Sequence, residues 1–286
     1  MPSLMVTGAS TGIGLACVTT AVQRGWHAFA GVRTDTDADR LRQLFGAHVT
    51  PLILDVCKPD TIAASTHQVR TQLAGQTLNG LVNNAGVAVA GPMLHIPLDE
   101  VRQQFEINFF GQIAVTQAFA PLLGTDATLA GAHGRIINIS SLGGKLGAPY
   151  LAPYVSSKHA LEGWSECLRR ELLMYGIDVI IVGPGAIATP IWTKAEQLNV
   201  AQYADTDYAP YITRYHQKLI AKGVHGLPAE RVGTLVMHAL TTSRPKTRYA
   251  LAPNILMEWW LPRLLPKRWI DRLAAKSYGL PDSPVD

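Results

Sequence analysis

Apolar positions along the chain keep two rhythms. Short continuous runs stand at Leu4–Val6, His27–Val32, Val49–Leu54, Leu78–Val82, Arg135–Ile139 and Ile177–Val182, and the stretches between them are amphipathic and of helical length. Runs of that kind suit strands covered on both faces. Strand, helix, strand in regular succession predicts right-handed βαβ units and a doubly wound parallel sheet. Thr247–Leu251 adds a seventh strand. No low-complexity linker and no internal repeat breaks the series, so residues 1–286 read as a single α/β domain.

Two regions leave this rhythm. Residues 188–226 form a long excursion without a clear strand and carry Tyr203, Tyr208, Tyr211 and Tyr215. They follow a strand C-terminus, where ligands bind in open α/β sheets, and an excursion of that length predicts a substrate lid. Residues 254–286 read as a helical tail. There Trp259, Trp260, Leu261, Leu264, Leu265, Trp269, Ile270 and Leu273 are interleaved with Arg263, Lys267, Arg268, Arg272 and Lys276. Such a tail either packs on the core or a partner subunit, or makes a peripheral contact with a membrane surface or a lipid substrate.

Composition narrows the class. Apolar residues make up 48% of the 286 and charged residues 16%, enough for a large core. The net charge of +4 is scattered, with no Lys/Arg block, so no nucleic-acid surface is expected. Cys17, Cys57 and Cys167 lack C-x-x-C spacing and predict free buried thiols in a reducing compartment, hence a cytoplasmic protein. The nine histidines show neither H-x-x-x-H nor H-E-x-x-H spacing, and no metal site is expected. The first residues run into a strand without a basic n-region or cleavage site, which does not read as a signal peptide. The most apolar run, Val179–Trp192, is broken by Gly183-Pro184-Gly185 and Pro190 and is too short to span a membrane.

Three local patterns carry chemistry. In Thr7-Gly8-Ala9-Ser10-Thr11-Gly12-Ile13-Gly14 the glycines follow the first strand and open the first helix. Glycine lets the backbone approach a pyrophosphate, and the helix N-terminus supplies free N–H groups and partial positive charge. Strand two ends Ala30-Gly31-Val32-Arg33, with no acid before Asp35. An acid there would bind a ribose 2′-hydroxyl, whereas an arginine suits a 2′-phosphate, although Asp35, Asp37 and Asp39 weaken the local positive field. NADP(H) is therefore favoured, with NAD(H) admitted. Lastly, Tyr154 and Lys158 lie one helical turn apart and share a face. A free phenol has a pKa of about 10, and a neighbouring ammonium is expected to lower it, so that Tyr154 serves as general acid or base.

The loop spacing G-x-x-x-G-x-G, Asn83-Asn84-Ala85-Gly86 after strand four, and Tyr154-x-x-x-Lys158 together resemble the short-chain dehydrogenase/reductase family over about Leu4 to Gly185. The resemblance implies a Rossmann-type sheet. It implies that Ser10, Thr11 and Ile13 hold the pyrophosphate, that Asp55 and Val56 flank the adenine, and that Asn84 lies near the adenosine ribose. Pro184, Gly185, Ala186, Ile187 and Thr189 would contact the nicotinamide, and Lys158 would bond the nicotinamide ribose hydroxyls. Ser141 stands thirteen residues before Tyr154, the family's serine-to-tyrosine separation, and would hold the substrate oxygen while charge develops there. Its neighbour Ser140 should point the other way on a strand. Asn108 matches the family's helix asparagine and would support a water and proton relay to the lysine; the plainer reading is a buried polar residue that kinks a helix.

The expected function is hydride transfer between NADP(H) and a secondary alcohol or ketone, with Asn108, Ser141, Tyr154 and Lys158 as the catalytic set. Leu161–Leu168 and Gly91-Pro92 resemble the branch of 17β-hydroxysteroid and retinol dehydrogenases, which implies a lipophilic substrate. The rivals are an NAD-dependent alcohol dehydrogenase of the same family and a non-catalytic nucleotide-sensing protein on the same fold. The family also implies a homodimer or homotetramer through the helices that bear Asn108 and Tyr154.

Overall fold

Seven apolar runs form the seven parallel strands of one sheet: β1 (Ser3–Val6), β2 (His27–Val32), β3 (Val49–Ile53), β4 (Gly80–Asn83), β5 (Arg135–Ile139), β6 (Asp178–Pro184) and, after a two-stranded ladder of β7 (Ile187–Ala188) and β8 (Leu227–Pro228), β9 (Arg248–Leu251). The strand order in the sheet is β3-β2-β1-β4-β5-β6-β9. The computed structural model describes residues 1–190, 192 and 200–281.

Side chains of each strand alternate between two cores, as the pleat requires. On one face Leu4, Val6, Ala28, Ala30, Ile180 and Val182 pack with α1 (Gly12–Gln23), α2 (Asp35–Phe45) and α8 (Ala229–Thr241). On the other, Met5, Phe29, Leu81, Ile136 and Val179 pack with α3 (Pro59–Leu73) and α5 (Gly111–Phe119). Helix α1 sits close to the sheet because its buried face is built of small residues, Gly14, Ala16, Cys17, Val18, Thr20 and Ala21. The doubly wound architecture is as expected, and predicted and observed strands differ by no more than two residues at any end.

Helix α4 (Leu98–Phe105) runs through a π-helical turn, Glu106–Phe110, into α5. Helix α6 (Ala152–Glu171) follows β5 and carries the Tyr-x-x-x-Lys pair. The predicted lid includes Ile191 and residues 193–199, which lie outside the described residues. Its remainder holds α7 (Ala209–Val224), and the short β7–β8 ladder closes its two ends at Ala188 and Leu227. The tyrosines pack rather than dangle. Tyr150, Tyr203, Ile212 and Tyr215 form a third core, with Tyr150–Tyr215 ring centroids 4.6 Å apart.

The tail continues through a π-helical turn at Leu256–Trp260, a short α9 (Leu261–Leu264) and α10 (Lys267–Tyr278); its last five residues, 282–286, lie outside the described residues. The Tyr278 ring packs at a tilt against Tyr215, with centroids 5.3 Å apart, so the tail closes on α7. No helix among the described residues is long and apolar enough to cross a membrane. The thiol expectation needs one correction: all three are free, but only Cys17 is buried, Cys57 is half-buried and Cys167 is exposed. Cys167 lies on the outer face of α6, which the amphipathic pattern alone did not distinguish.

Candidate active site

The sheet's strand order reverses between β1 and β4, and the site opens at that switch point. The Thr7 hydroxyl accepts the backbone N–H groups of Asn84 (2.9 Å) and Ala85 (3.0 Å), pinning the two strand ends together. Gly8 (φ 63°) and Gly12 (φ 55°) adopt left-handed conformations that a side chain would strain. A Cβ on Gly14 would strike the Gly8 carbonyl and come within 2.6 Å of Asn84 Nδ2. That same Nδ2 donates to the carbonyls of Thr7 (2.9 Å) and Gly8 (3.1 Å), so Asn84 braces the loop from behind.

Thr11 caps α1 in extended conformation without a side-chain bond, which leaves the first N–H groups of the helix without partners from the cap. A Cβ added to Gly12 would meet Thr189 at 3.2 Å, so the segment after β6 closes against the loop. This glycine-shaped, uncapped N-terminus fits the pyrophosphate of a dinucleotide cofactor.

Arg33 lies exposed at the C-terminal end of β2 and lines the same cleft. Two of the three acids expected to weaken its field pair with arginines of α2, Asp37 with Arg40 at 3.1 Å and Asp39 with Arg42 at 2.6 Å. Arg33 itself has no ion pair among the described residues, so its guanidinium is available to an anionic group. At the end of the adjacent strand β3, the Asp55 Oδ1 accepts the Cys57 N–H at 3.0 Å, beside the buried Val56.

At the far end of β5 the two serines point opposite ways, as the pleat predicts. Ser140 donates its hydroxyl to Glu162 Oε1 at 2.8 Å, away from the cleft. The Ser141 hydroxyl accepts the Gly143 N–H at 3.0 Å and lies near enough to the Tyr154 phenol to act on its pKa. Tyr154, Lys158 and Glu162 succeed one another by helical turns along one face of α6. Lys158 is 4% exposed; its Nζ donates to the Ile139 carbonyl at 2.8 Å and stands 5.9 Å from the centroid of the Tyr154 ring.

The expectation that Lys158 lowers the Tyr154 pKa is corrected for the protein on its own. Burial pushes the phenol up from its ordinary value, and the bond with Ser141 holds it back only in part. Burial also pulls Lys158 down to about 8, with the Glu162 carboxylate opposing the fall. Low-dielectric surroundings favour the neutral form of both groups, and the lysine's nearest partner is a backbone carbonyl rather than the phenolic oxygen. Spacing shows which residues share a face but not how dry that face is.

Asn108 sits in the π-helical turn, fully buried. Its Oδ1 accepts the Val87 N–H and its Nδ2 donates to the Val87 carbonyl, both at 2.9 Å, and also to Ser157 Oγ at 3.3 Å. The side-chain amide is thus engaged with the loop after β4 and with α6. Both parts of the plainer reading, a buried polar group and an irregular helix, are present. A π turn does leave a backbone carbonyl outside the regular ladder, a feature recurrent at functional sites.

All the expected residues except Gly14, which stands behind the loop, line one cleft of about 1980 Å³: Gly8, Ser10, Thr11, Gly12, Ile13, Arg33, Asp55, Val56, Asn84, Asn108, Ser141, Tyr154, Lys158, Pro184, Gly185, Ile187 and Thr189. Its other end is walled by the lid and tail, through Tyr215, Leu219, Leu261, Leu265, Ile270 and Leu273. The tail's part in this wall was foreseen only as one alternative. Sequence reasoning missed Glu162 and Arg248, which adjoin the serine pair. An acid one turn beyond Lys158 on the buried face of α6 was the available signal for Glu162. Arg248, on β9, gave none.

The family model for short chain dehydrogenase matches residues 3–199. An NADPH-dependent 3-dehydrocapnine reductase from Ornithobacterium rhinotracheale is 36% identical over 272 residues, covering 95% of each chain. Retinol dehydrogenase 5 from Mus musculus is 30% identical over 282 residues, 94% of this chain and 86% of the relative. Among solved structures, a short-chain dehydrogenase from Streptomyces avermitilis superposes with a TM-score of 0.73 at 25% identity, over 96% of this chain and 94% of its own.

The state of Lys158 is directly measurable. In the cofactor-free protein its ε-carbon NMR signal, assigned by its loss in Lys158→Met, should titrate with a midpoint near about 8. The ammonium is then charged below that pH and neutral above it. A midpoint at the ordinary lysine value of about 10.4 would contradict the burial that the geometry describes.

Proposed function

The chain belongs to the short-chain dehydrogenase/reductase family, and from that membership we propose that it is an NADP(H)-dependent oxidoreductase that interconverts a lipophilic secondary alcohol and its ketone. The observation that carries the reading is the Ser141 hydroxyl, Tyr154 and the buried Lys158 on one cleft, between a glycine-shaped loop and an apolar wall. Bound between these ends, the nicotinamide supplies or takes up the hydride. Ser10, Thr11, Gly12 and Ile13 hold the pyrophosphate by backbone N–H groups, and Arg33 holds the 2′-phosphate by a charge-assisted contact. Asp55 and Val56 border the adenine, Asn84 lies near the adenosine ribose, and Pro184, Gly185, Ile187 and Thr189 border the nicotinamide.

Ser141 holds the substrate oxygen by its hydroxyl, the Gly143 N–H having oriented that hydroxyl from behind. Tyr154 passes its phenolic proton to that oxygen on reduction and recovers it on oxidation. A phenol raised by burial is protonated at neutral pH, the form that donates its proton when a ketone is reduced. Lys158 contributes positive charge beside the phenol and bonds the ribose hydroxyls. Asn108 acts by shaping the loop at Val87, and any relay at this position uses the backbone carbonyls of its π turn.

The lipophilic substrate rests on the tail's apolar residues in the cleft wall and on the likeness to retinol dehydrogenase 5. Residues 188–226 and the tail work as its cover, and one domain carries the whole site. Trp269 and Leu273 of α10 are 58% and 54% exposed beside Arg268, Arg272 and Lys276. That face suits a peripheral membrane contact or a partner subunit, and the family favours a homodimer or homotetramer.

The reading is tested by NADPH oxidation against a panel of ketones. Wild type should turn over at least one of them, and Tyr154→Phe should lose about two to four orders of magnitude in turnover while binding cofactor normally; a near-wild-type rate would remove Tyr154 from its role. Arg33→Ala should raise KM for NADPH about ten- to a hundredfold, the worth of a charge-assisted bond, and leave KM for NADH nearly unchanged. Equal effects on the two cofactors would count against NADP(H).

A further inference from the structure

Glu162 is fully buried, and its carboxylate gathers donors from three other segments. Arg248 Nε donates to both oxygens, at 3.2 and 3.1 Å, and its Nη2 donates to Oε1 at 2.9 Å. Ser140 adds its hydroxyl at 2.8 Å, and Lys145 Nζ lies 3.6 Å from Oε2. The same Arg248 Nη2 donates to the Ser141 carbonyl at 3.1 Å. Both residues of the serine pair are therefore held by one ion pair, Ser140 through its side chain and Ser141 through its backbone.

The surrounding chain makes room for this pair. A Cβ on Gly144 would strike Glu162 Oε1, and one on Gly183 would come within 2.5 Å of Arg248 Nη2. Beyond the pair lies the tail. The Arg248 guanidinium stacks on the Trp259 indole at 3.9 Å, and Arg263 meets the same ring at 4.4 Å. Trp259 is 5% exposed, while its neighbour Trp260 is 49% exposed, so this indole is the point at which the start of the tail is fastened to the sheet.

We propose that Glu162 and Arg248 are positioning residues: their buried ion pair fixes the Ser140–Ser141 strand end and couples it, through Trp259, to the tail that walls the substrate cleft. The proposal rests on the oxidoreductase reading for Ser141 and Tyr154. Reacting groups displaced by about 1 Å lose on the order of a hundredfold in rate, so a clamp on the Ser141 backbone acts on turnover without touching substrate. The pair acts on charge as well. The groups that face Lys158 are Tyr154 and Glu162 from its own helix, with Arg248 from β9 and Lys145 from the turn after β5 on the far side of Glu162. Of these only Glu162 is anionic, and it keeps the buried ammonium protonated.

Glu162→Gln keeps the shape and the acceptor for Ser140 but removes the charge. In the cofactor-free variant the Lys158 NMR midpoint should fall about one unit or more below the wild-type value. The alkaline limb of kcat should move down with it, and kcat should drop about ten- to a hundredfold at unchanged cofactor affinity. Arg248→Lys keeps the charge but loses the fork and the indole stack; it should retain the wild-type Lys158 midpoint, lose kcat, and speed hydrogen exchange over residues 254–281. A folded Glu162→Gln protein with wild-type midpoint and kcat would overturn the proposal. Should Glu162→Gln fail to fold, Trp259→Leu leaves the ion pair in place and should lower kcat several-fold with faster exchange in the tail. Faster exchange with unchanged kcat would overturn the coupling. A wild type that turns over no ketone would defeat the oxidoreductase reading instead, and the Lys158 midpoint in cofactor-free protein would still test the pair.

Discussion

A buried carboxylate among cations organises the working half of this molecule. Lys158 and Arg248 are both largely removed from water, and an isolated buried charge costs several kcal/mol after relaxation. Glu162, with no exposed surface, is the anion that makes both acceptable. The helix α6 face that carries it also carries Tyr154 and Lys158, the strand end it bonds carries Ser141, and the arginine it holds carries Trp259.

The cofactor end depends on a different constraint, close approach of backbone. Gly8 and Gly12 take left-handed conformations, Gly14 lets α1 close on the Gly8 carbonyl, and Thr7 and Asn84 tie β1 to β4. These contacts are local to the switch point and meet the lid at its start, where Thr189 faces Gly12. The substrate end is built late in the chain, from the tyrosine core around Tyr150 and Tyr215 and from the apolar residues of the tail. Tyr150 itself is a non-glycine residue at φ 60°, four residues before Tyr154. Left-handed strain of this kind persists only where the surroundings over-determine it, and here the ring is held by Tyr208 and Tyr215. This end of the cleft wall therefore bears directly on the start of α6.

The sequence was legible wherever one local rule decided the outcome. Strand positions followed from apolar runs, because a strand covered on both faces has no polar period to hide. The opposite directions of Ser140 and Ser141 followed from the pleat. The availability of Arg33 did not, since whether Asp37 and Asp39 oppose it depends on their ion pairs within α2. In the protein without cofactor the phenol is pushed up rather than down: spacing gave the lysine's proximity, while burial, which the spacing does not carry, moves both groups toward neutrality. Glu162 and Arg248 stand 86 residues apart, and their meeting exists only once β9 has joined β6. Ile191 and residues 193–199 of the expected lid lie outside the described residues.

These parts converge on one event, the transfer of hydride within the cleft next to the Ser141–Tyr154 pair. The most direct measurement is a single-turnover reaction of the protein with NADPH deuterated at nicotinamide C4 and a lipophilic ketone, with the alcohol read by mass spectrometry. The account predicts one deuterium on the carbinol carbon from one of the two C4 epimers and none from the other. A protein that binds the cofactor yet transfers no deuterium from either epimer to any ketone of the panel would contradict it.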